Sequence, residues 1–87
     1  MTVLDLPMGA FFMLPRISSG YIYRRLATEK YADNNAIKCV LIEQVAFSNA
    51  NGWVLSKGSV ENCNHLAEVK RMKLAFVPFD MNVEFEM

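Results

Sequence analysis

The sequence predicts an all-β domain: a small SH3-like barrel or a twisted antiparallel sheet of five to seven strands, with room for one short helix. Three observations carry that prediction. Side chains divide between two faces with period two over residues 20–26 and 36–43, the second apolar on both faces as in a central strand, and apolar alternates with acidic over 83–87. Turn chemistry recurs roughly every 8 to 12 residues, the spacing of a sandwich or small barrel. Two apolar runs stop at prolines, Pro15 and Pro78, where a ladder loses a backbone donor.

Residues 1–7 form a lead-in, and Pro7 with Gly9 turns the chain sharply into the first strand. That strand, 9–14, ends at Pro15. Arg16, Ser18, Ser19 and Gly20 then supply turn chemistry. Residues 20–26 return as a strand with Tyr21, Tyr23 and Arg25 on one face and Ile22, Arg24 and Leu26 on the other. A buried tyrosine wants a partner for its hydroxyl, which places one face at a rim or an interface. The plain reading of this stretch is a hairpin in a core. The functional reading is a ligand-facing strip of Tyr21, Tyr23 and Arg25.

Residues 27–35 are polar, carry a turn signal at Asp33, Asn34 and Asn35, and read as a loop; a helical turn capped by Thr28 is too short to stand alone. Residues 36–43 make the clearest strand. Its pattern continues through Val45 and Phe47, so the strand is long or bulged. Asn51-Gly52 signals a hairpin, because that turn wants positive φ. Residues 52–56 return, and Lys57-Gly58 is the next turn. Residues 59–73 admit two readings. A helix capped by Asn62 or Asn64 would align Leu66, Val69 and Met72, whereas a strand would turn Ala67 and Val69 inward; we read strand. An apolar run follows over 74–79, then a turn at 80–82 and a one-sided strand in which Val83, Phe85 and Met87 alternate with Glu84 and Glu86. No segment repeats and no low-complexity linker interrupts the chain, so residues 1–87 read as one domain.

Composition narrows the function. Nine basic and nine acidic residues give zero net charge, which argues against non-specific nucleic-acid binding. The chain is 53% hydrophobic, too apolar for a disordered segment, and a homo-oligomer is one way to hide the excess on so small a domain. Arg24 and Arg25 form one basic patch, and Lys70, Arg71 and Lys73 another. Cys39 and Cys63 are too few for a disulfide framework. No basic leader and no apolar run near the ~18 residues of a spanning helix are present, so no membrane is expected and a cytoplasmic protein is.

No catalytic or cofactor motif stands out. His65 is the single histidine, and its C-x-H spacing with Cys63 lacks the ligands of a zinc site and the third group of a nucleophilic triad. No glycine-rich phosphate cradle occurs. Trp53, the single tryptophan, reads as a core lid more readily than a ligand clamp. No metal, no cofactor and no enzymatic activity are expected.

The stretches Asp5-Leu-Pro-Met-Gly-Ala-Phe-Phe12, Gly20-Tyr-Ile-Tyr-Arg24, Asn35-Ala-Ile-Lys-Cys-Val40 and Phe79-Asp-Met-Asn-Val-Glu84 resemble, in that order, small SH3-like β-barrel proteins of tailed bacteriophages. The segment 62–73 departs from the pattern. The resemblance implies an accessory protein that binds a host or phage macromolecule, and it carries no shared site residues.

The function expected is therefore non-enzymatic: a phage-type binding protein that docks on a host or phage protein in the host cytosol and inhibits a defence or an enzyme. Tyr21, Tyr23 and Arg25, with Trp53 nearby, are its candidate contacts. One alternative is a nucleic-acid binder or a signalling-nucleotide sponge, with Arg24, Arg25, Lys70 and Arg71 meeting phosphates. Another is a structural virion component.

Overall fold

The structure is a computed structural model. It describes residues 1–31, 38–56, 58–77 and 80–85, with side chains described for 1–26, 38–56 and 58–74. Among the described residues seven strands run β1 (Phe11–Leu14), β2 (Ser18–Tyr31), β3 (Lys38–Asn49), β4 (Gly52–Leu55), β5 (Val60–Asn64), β6 (Lys70–Val77) and β7 (Asp80–Phe85). All pair antiparallel in the order β4-β3-β2-β1-β6-β7, with β5 also against β3. The two ends of that order, β4 and β7, approach one another, so the sheet curls into a half-barrel. The all-β prediction holds. Among the described residues the single helical element is a 3-10 turn at Val3–Asp5, and no helix is long and apolar enough to cross a membrane.

Neighbouring residues of a strand point to opposite faces, and here both faces are buried. Phe12, Leu14, Tyr23, Val40, Ile42 and Cys63 pack together on one face, beneath Val3 and Leu6 of the N-terminal segment. Ile22 and Ala46 are fully buried on the other, against Phe11, Val45, Trp53 and Leu74. Trp53 comes from β4 and Leu74 from β6, so this second cluster lies inside the curl. Each large apolar side chain removed from water contributes roughly 1.5–3 kcal/mol.

A bulge lets β3 serve both clusters. Ile22 lies opposite Ala46 and Tyr23 opposite Gln44, which leaves Val45 with no opposite number on β2. One extra residue exchanges the faces. Val40 and Ile42 therefore join the first cluster and Ala46 the second. The far side of β3 steps at the same place. β4 pairs with residues 46–49 and β5 with residues 39–43, the two being in line with residues 56–59 between them. Ser56 N donates to Val45 O and Gln44 N to Ser59 O, both at 3.0 Å. Gly58 sits so close that a Cβ there would fall 2.0 Å from the Gln44 carbonyl oxygen. Glycine is required at this crossing for space.

Several boundaries differ from the sequence reading. The first turn is Pro15–Ile17, closed by Ile17 N to Leu14 O at 3.2 Å, and β2 already starts at Ser18. Residues 27–31, read as loop, continue β2, because Glu29, Lys30 and Tyr31 pair with Val40, Cys39 and Lys38. Asp33, Asn34 and Asn35 lie outside the described residues, as do Lys57, Pro78 and Met87. The Asn51-Gly52 hairpin forms one residue earlier than expected: Asn49 pairs with Gly52, Ala50 and Asn51 make the turn, and Gly52 carries φ of +112°. Asn49 Oδ1 accepts from Asn51 N at 2.8 Å, a local bond that fixes the turn. Asp80, read as a turn residue, pairs with Val77 inside the last hairpin. In 59–73 the strand reading is the better one: β5 forms, no helix does, and Val69 and Ala67 pack inward while Leu66 is exposed.

The lead-in is part of the core. Thr2 N and Oγ1 donate to Asp5 Oδ2 at 2.8 and 3.1 Å, and these bonds hold the Asp5 carboxyl below its ordinary pKa. Val3 N donates to Ala67 O at 2.9 Å, and Val69 N donates to Met1 O at 3.0 Å. Arg25, only 6% exposed, reaches under this segment. Its Nη1 donates to the carbonyls of Leu4, at 3.1 Å, and Leu6. A buried guanidinium is tolerated only with such acceptors.

Two outcomes follow from this packing. Gly58→Ala lowers stability in urea by about 1–3 kcal/mol, whereas Gly20→Ala, with no atom within 4 Å of the added Cβ, changes it by less than about 1 kcal/mol. Arg25→Met lowers stability by about 2–3 kcal/mol and speeds hydrogen exchange at the Leu4 and Leu6 amides. Unchanged protection there would disprove the tie.

Candidate protein-binding face

The predicted strip Tyr21, Tyr23 and Arg25 does lie on one face of β2, but only Tyr21 reaches solvent, at 41% exposure. Tyr23 is buried beside Phe12, with ring centroids 5.8 Å apart. Its hydroxyl finds its partner inside the protein, Ser18 Oγ at 2.8 Å, so burial does not force this face to an interface. Burial raises the Tyr23 phenol pKa, and the Ser18 bond opposes that shift. Arg25 is spent on the N-terminal segment. Trp53 packs on Ile22 and Ala46, across the sheet from the tyrosines. The strip therefore does not form as a contact surface, and Trp53 is not near it.

Register builds a different surface. Tyr21 lies opposite Phe47, and Phe47 lies opposite Val54. Directly paired residues share a face with Cβ atoms about 5 Å apart, so Tyr21, Phe47 and Val54 form one stripe across β2, β3 and β4. Tyr21 and Val54 are exposed and Phe47 is half-buried. The buried Tyr23 ring backs the stripe, 6.4 Å from Tyr21 between centroids. Gln44 Nε2 donates to Ser56 Oγ at 3.3 Å beside it. The first cluster's cover, Val3 and Leu6, leaves this end of the face open. Sequence reasoning singled out Tyr21 but missed Phe47 and Val54, because the Val45 bulge decides which face they share. The alternation of Phe47 with Ser48 and of Val54 with Trp53 was the signal available.

The basic candidates separate. Arg24 is exposed, with its guanidinium carbon 6.0 Å from the Phe11 ring centroid. Lys70 and Arg71 lie on β6 opposite Met13 and Phe12, Lys70 exposed and Arg71 half-buried. None of these cations shares the stripe.

The groups considered for chemistry are occupied structurally. Cys63 and Cys39 are free thiols, both buried. Burial pushes the Cys63 thiol up to about 11, which keeps it protonated and poorly nucleophilic near neutrality. His65 Nδ1 lies 2.8 Å from the Lys38 carbonyl oxygen. Among the described residues no group of three or more His, Cys, Asp or Glu could hold a metal ion. No protein-family model, curated protein or solved structure matches the chain.

The raised Cys63 pKa sets a pH dependence. The folded thiol stays neutral while an unfolded one ionises from about pH 9, its ordinary value. The contribution of this group to stability is complete below pH 9 and is lost as pH rises toward about 11. Urea midpoints should fall across that window in the wild type and fall less in Cys63→Ala.

Proposed function

We propose that this protein is a non-enzymatic binding module, of the phage accessory type its sequence resembles, that docks on a host or phage protein through the stripe Tyr21–Phe47–Val54. The reading places it in the host cytosol, where docking blocks or redirects the partner. The observation that supports it is an exposed aromatic and aliphatic stripe built on paired strands and backed by a buried ring. Such side chains carry interface energy when a partner excludes water from them, and strands hold them with little entropy left to lose. The surroundings favour a protein over a nucleic acid. Gln44 and Ser56 flank the stripe, and Glu61 is the charge felt by Tyr23 from this side. Phosphate recognition needs cations instead.

The test is affinity capture from bacterial lysate with the wild type and with Tyr21→Ala/Phe47→Ala, the fold of each checked by circular dichroism. A protein retained by the wild type should be lost, or held at least about tenfold more weakly, by the double variant. Equal retention by a folded double variant would remove this stripe as the contact, and retention of a nucleotide alone would favour the sponge reading.

A further inference from the structure

The hairpin tip between β3 and β4 holds a reactive pair of residues. Seven asparagines occur in the chain, and Asn51 is the one followed by glycine. Ala50 and Asn51 make the turn, and Asn49 pairs with Gly52 across it. Asn51 and Gly52 are both exposed. Gly52 carries φ of +112°, and a Cβ there would meet no atom within 4 Å, so open space surrounds its backbone.

The asparagines nearby lack this combination. Asn49 Oδ1 accepts from Asn51 N at 2.8 Å, and Asn64 Oδ1 accepts from Leu66 N at 2.9 Å, so both carboxamides are held. Asn62 lies within β5, and Cys63 after it is buried and paired with Val40. Among the described residues no hydrogen bond holds the Asn51 carboxamide. Its Cγ lies one bond short of a five-membered ring with the next backbone nitrogen, and groups so placed react as if at very high concentration. At Gly52 no side chain crowds that nitrogen. The Asn49–Gly52 pair closes the end of a four-residue strand at one end of the sheet order. Opening costs least at such ends, so the nitrogen is released without unfolding the domain.

We propose that Asn51-Gly52 is a site of spontaneous deamidation in the folded chain, which rebuilds the β3–β4 turn over time. The Gly52 nitrogen gives its proton to water or hydroxide and bonds to Asn51 Cγ. The Cγ–Nδ2 bond breaks and ammonia leaves, giving a succinimide. One water then opens the ring. Breaking the bond to Cγ yields an aspartyl residue at position 51. Breaking the bond to the former main-chain carbonyl carbon yields an isoaspartyl residue, whose main chain runs through Cβ and Cγ. Water is consumed, ammonia is released and no electrons change hands. Both products add a negative charge, giving ten acidic residues against nine basic where the parent chain is balanced. The isoaspartyl product also lengthens by one carbon a turn whose length sets strand register, and so loosens the pairing of Val54 with Phe47. The site does not rest on the reading of the Tyr21 stripe, although its product acts on two members of that stripe.

The test stores the full chain in warm, mildly alkaline buffer and separates it by charge. An acidic form should accumulate, with the mass of an amide replaced by an acid, and fragmentation should place the change at position 51. A protein isoaspartate methyltransferase should transfer a methyl group to this form from S-adenosylmethionine. Asn51→Gln, whose ring would be one atom larger, should lower the yield at least about tenfold. The native chain should react within about tenfold of the rate in urea. The isoaspartyl form should exchange its Phe47 and Val54 amide hydrogens faster than the parent. An acidic form that maps to another asparagine, an equal yield from Asn51→Gln, or reaction in urea alone would overturn the proposal. Unchanged exchange in the isoaspartyl form would overturn the loosened pairing.

Discussion

One strand has to bury side chains on both of its faces at once, and the rest of the structure depends on how β3 does this. A regular strand of alternating residues presents one apolar set to one side for its whole length. β3 carries Val40 and Ile42 to one cluster and Ala46 to the other, and the unmatched residue Val45 between them makes the exchange. The neighbour on the far side breaks into β4 and β5 at the same level, with Gly58 pressed against the Gln44 carbonyl. Both edges of β3 are therefore irregular along one line. A bulge adds twist, and here it coincides with the curl that brings β4 toward β7.

The second constraint is the buried cation. Arg25 lies on the same face as Tyr23 and Tyr21, and a charge there needs acceptors. The carbonyls of Leu4 and Leu6 supply them, which draws the 3-10 turn down over Phe12, Val40 and Ile42. The N-terminal segment is thereby stitched to both ends of the fold: to β2 through Arg25 and to the stretch before β6 through Val3 and Val69. It roofs the first cluster and stops short of Tyr21. The openness of the stripe is thus a consequence of where the roof ends.

Fold alone assigns no function, so the reading rests on surfaces. Those surfaces come from strands of unequal length. β2 and β3 extend beyond the roof, with Tyr21 exposed and Phe47 half-buried. β6 runs on past Met72, where its register with β1 ends.

The sequence by itself determined the all-β class, the extended state of 36–43 and its continuation past Val45, the glycine turn near residue 52, and the opposite facing of Tyr23 and Ile22. Each of these is set locally, by the period of the side chains or by φ at one residue. Tertiary structure decided what each face meets. Residues 27–31 look like a loop until β3 pairs with them. Val3 and Leu6 look like a lead-in until Arg25 and Val69 hold them down, although Thr2 and Asp5 carried the spacing of a cap. Tyr23 and Arg25 look like contacts until Ser18 meets the Tyr23 hydroxyl and the Leu4 and Leu6 carbonyls accept from Arg25 Nη1 indoors. Phe47 joins Tyr21 only because Val45 has no opposite. A side chain's direction is a property of its own strand, but its burial depends on partners tens of residues away, and one unmatched residue changes which of them it meets.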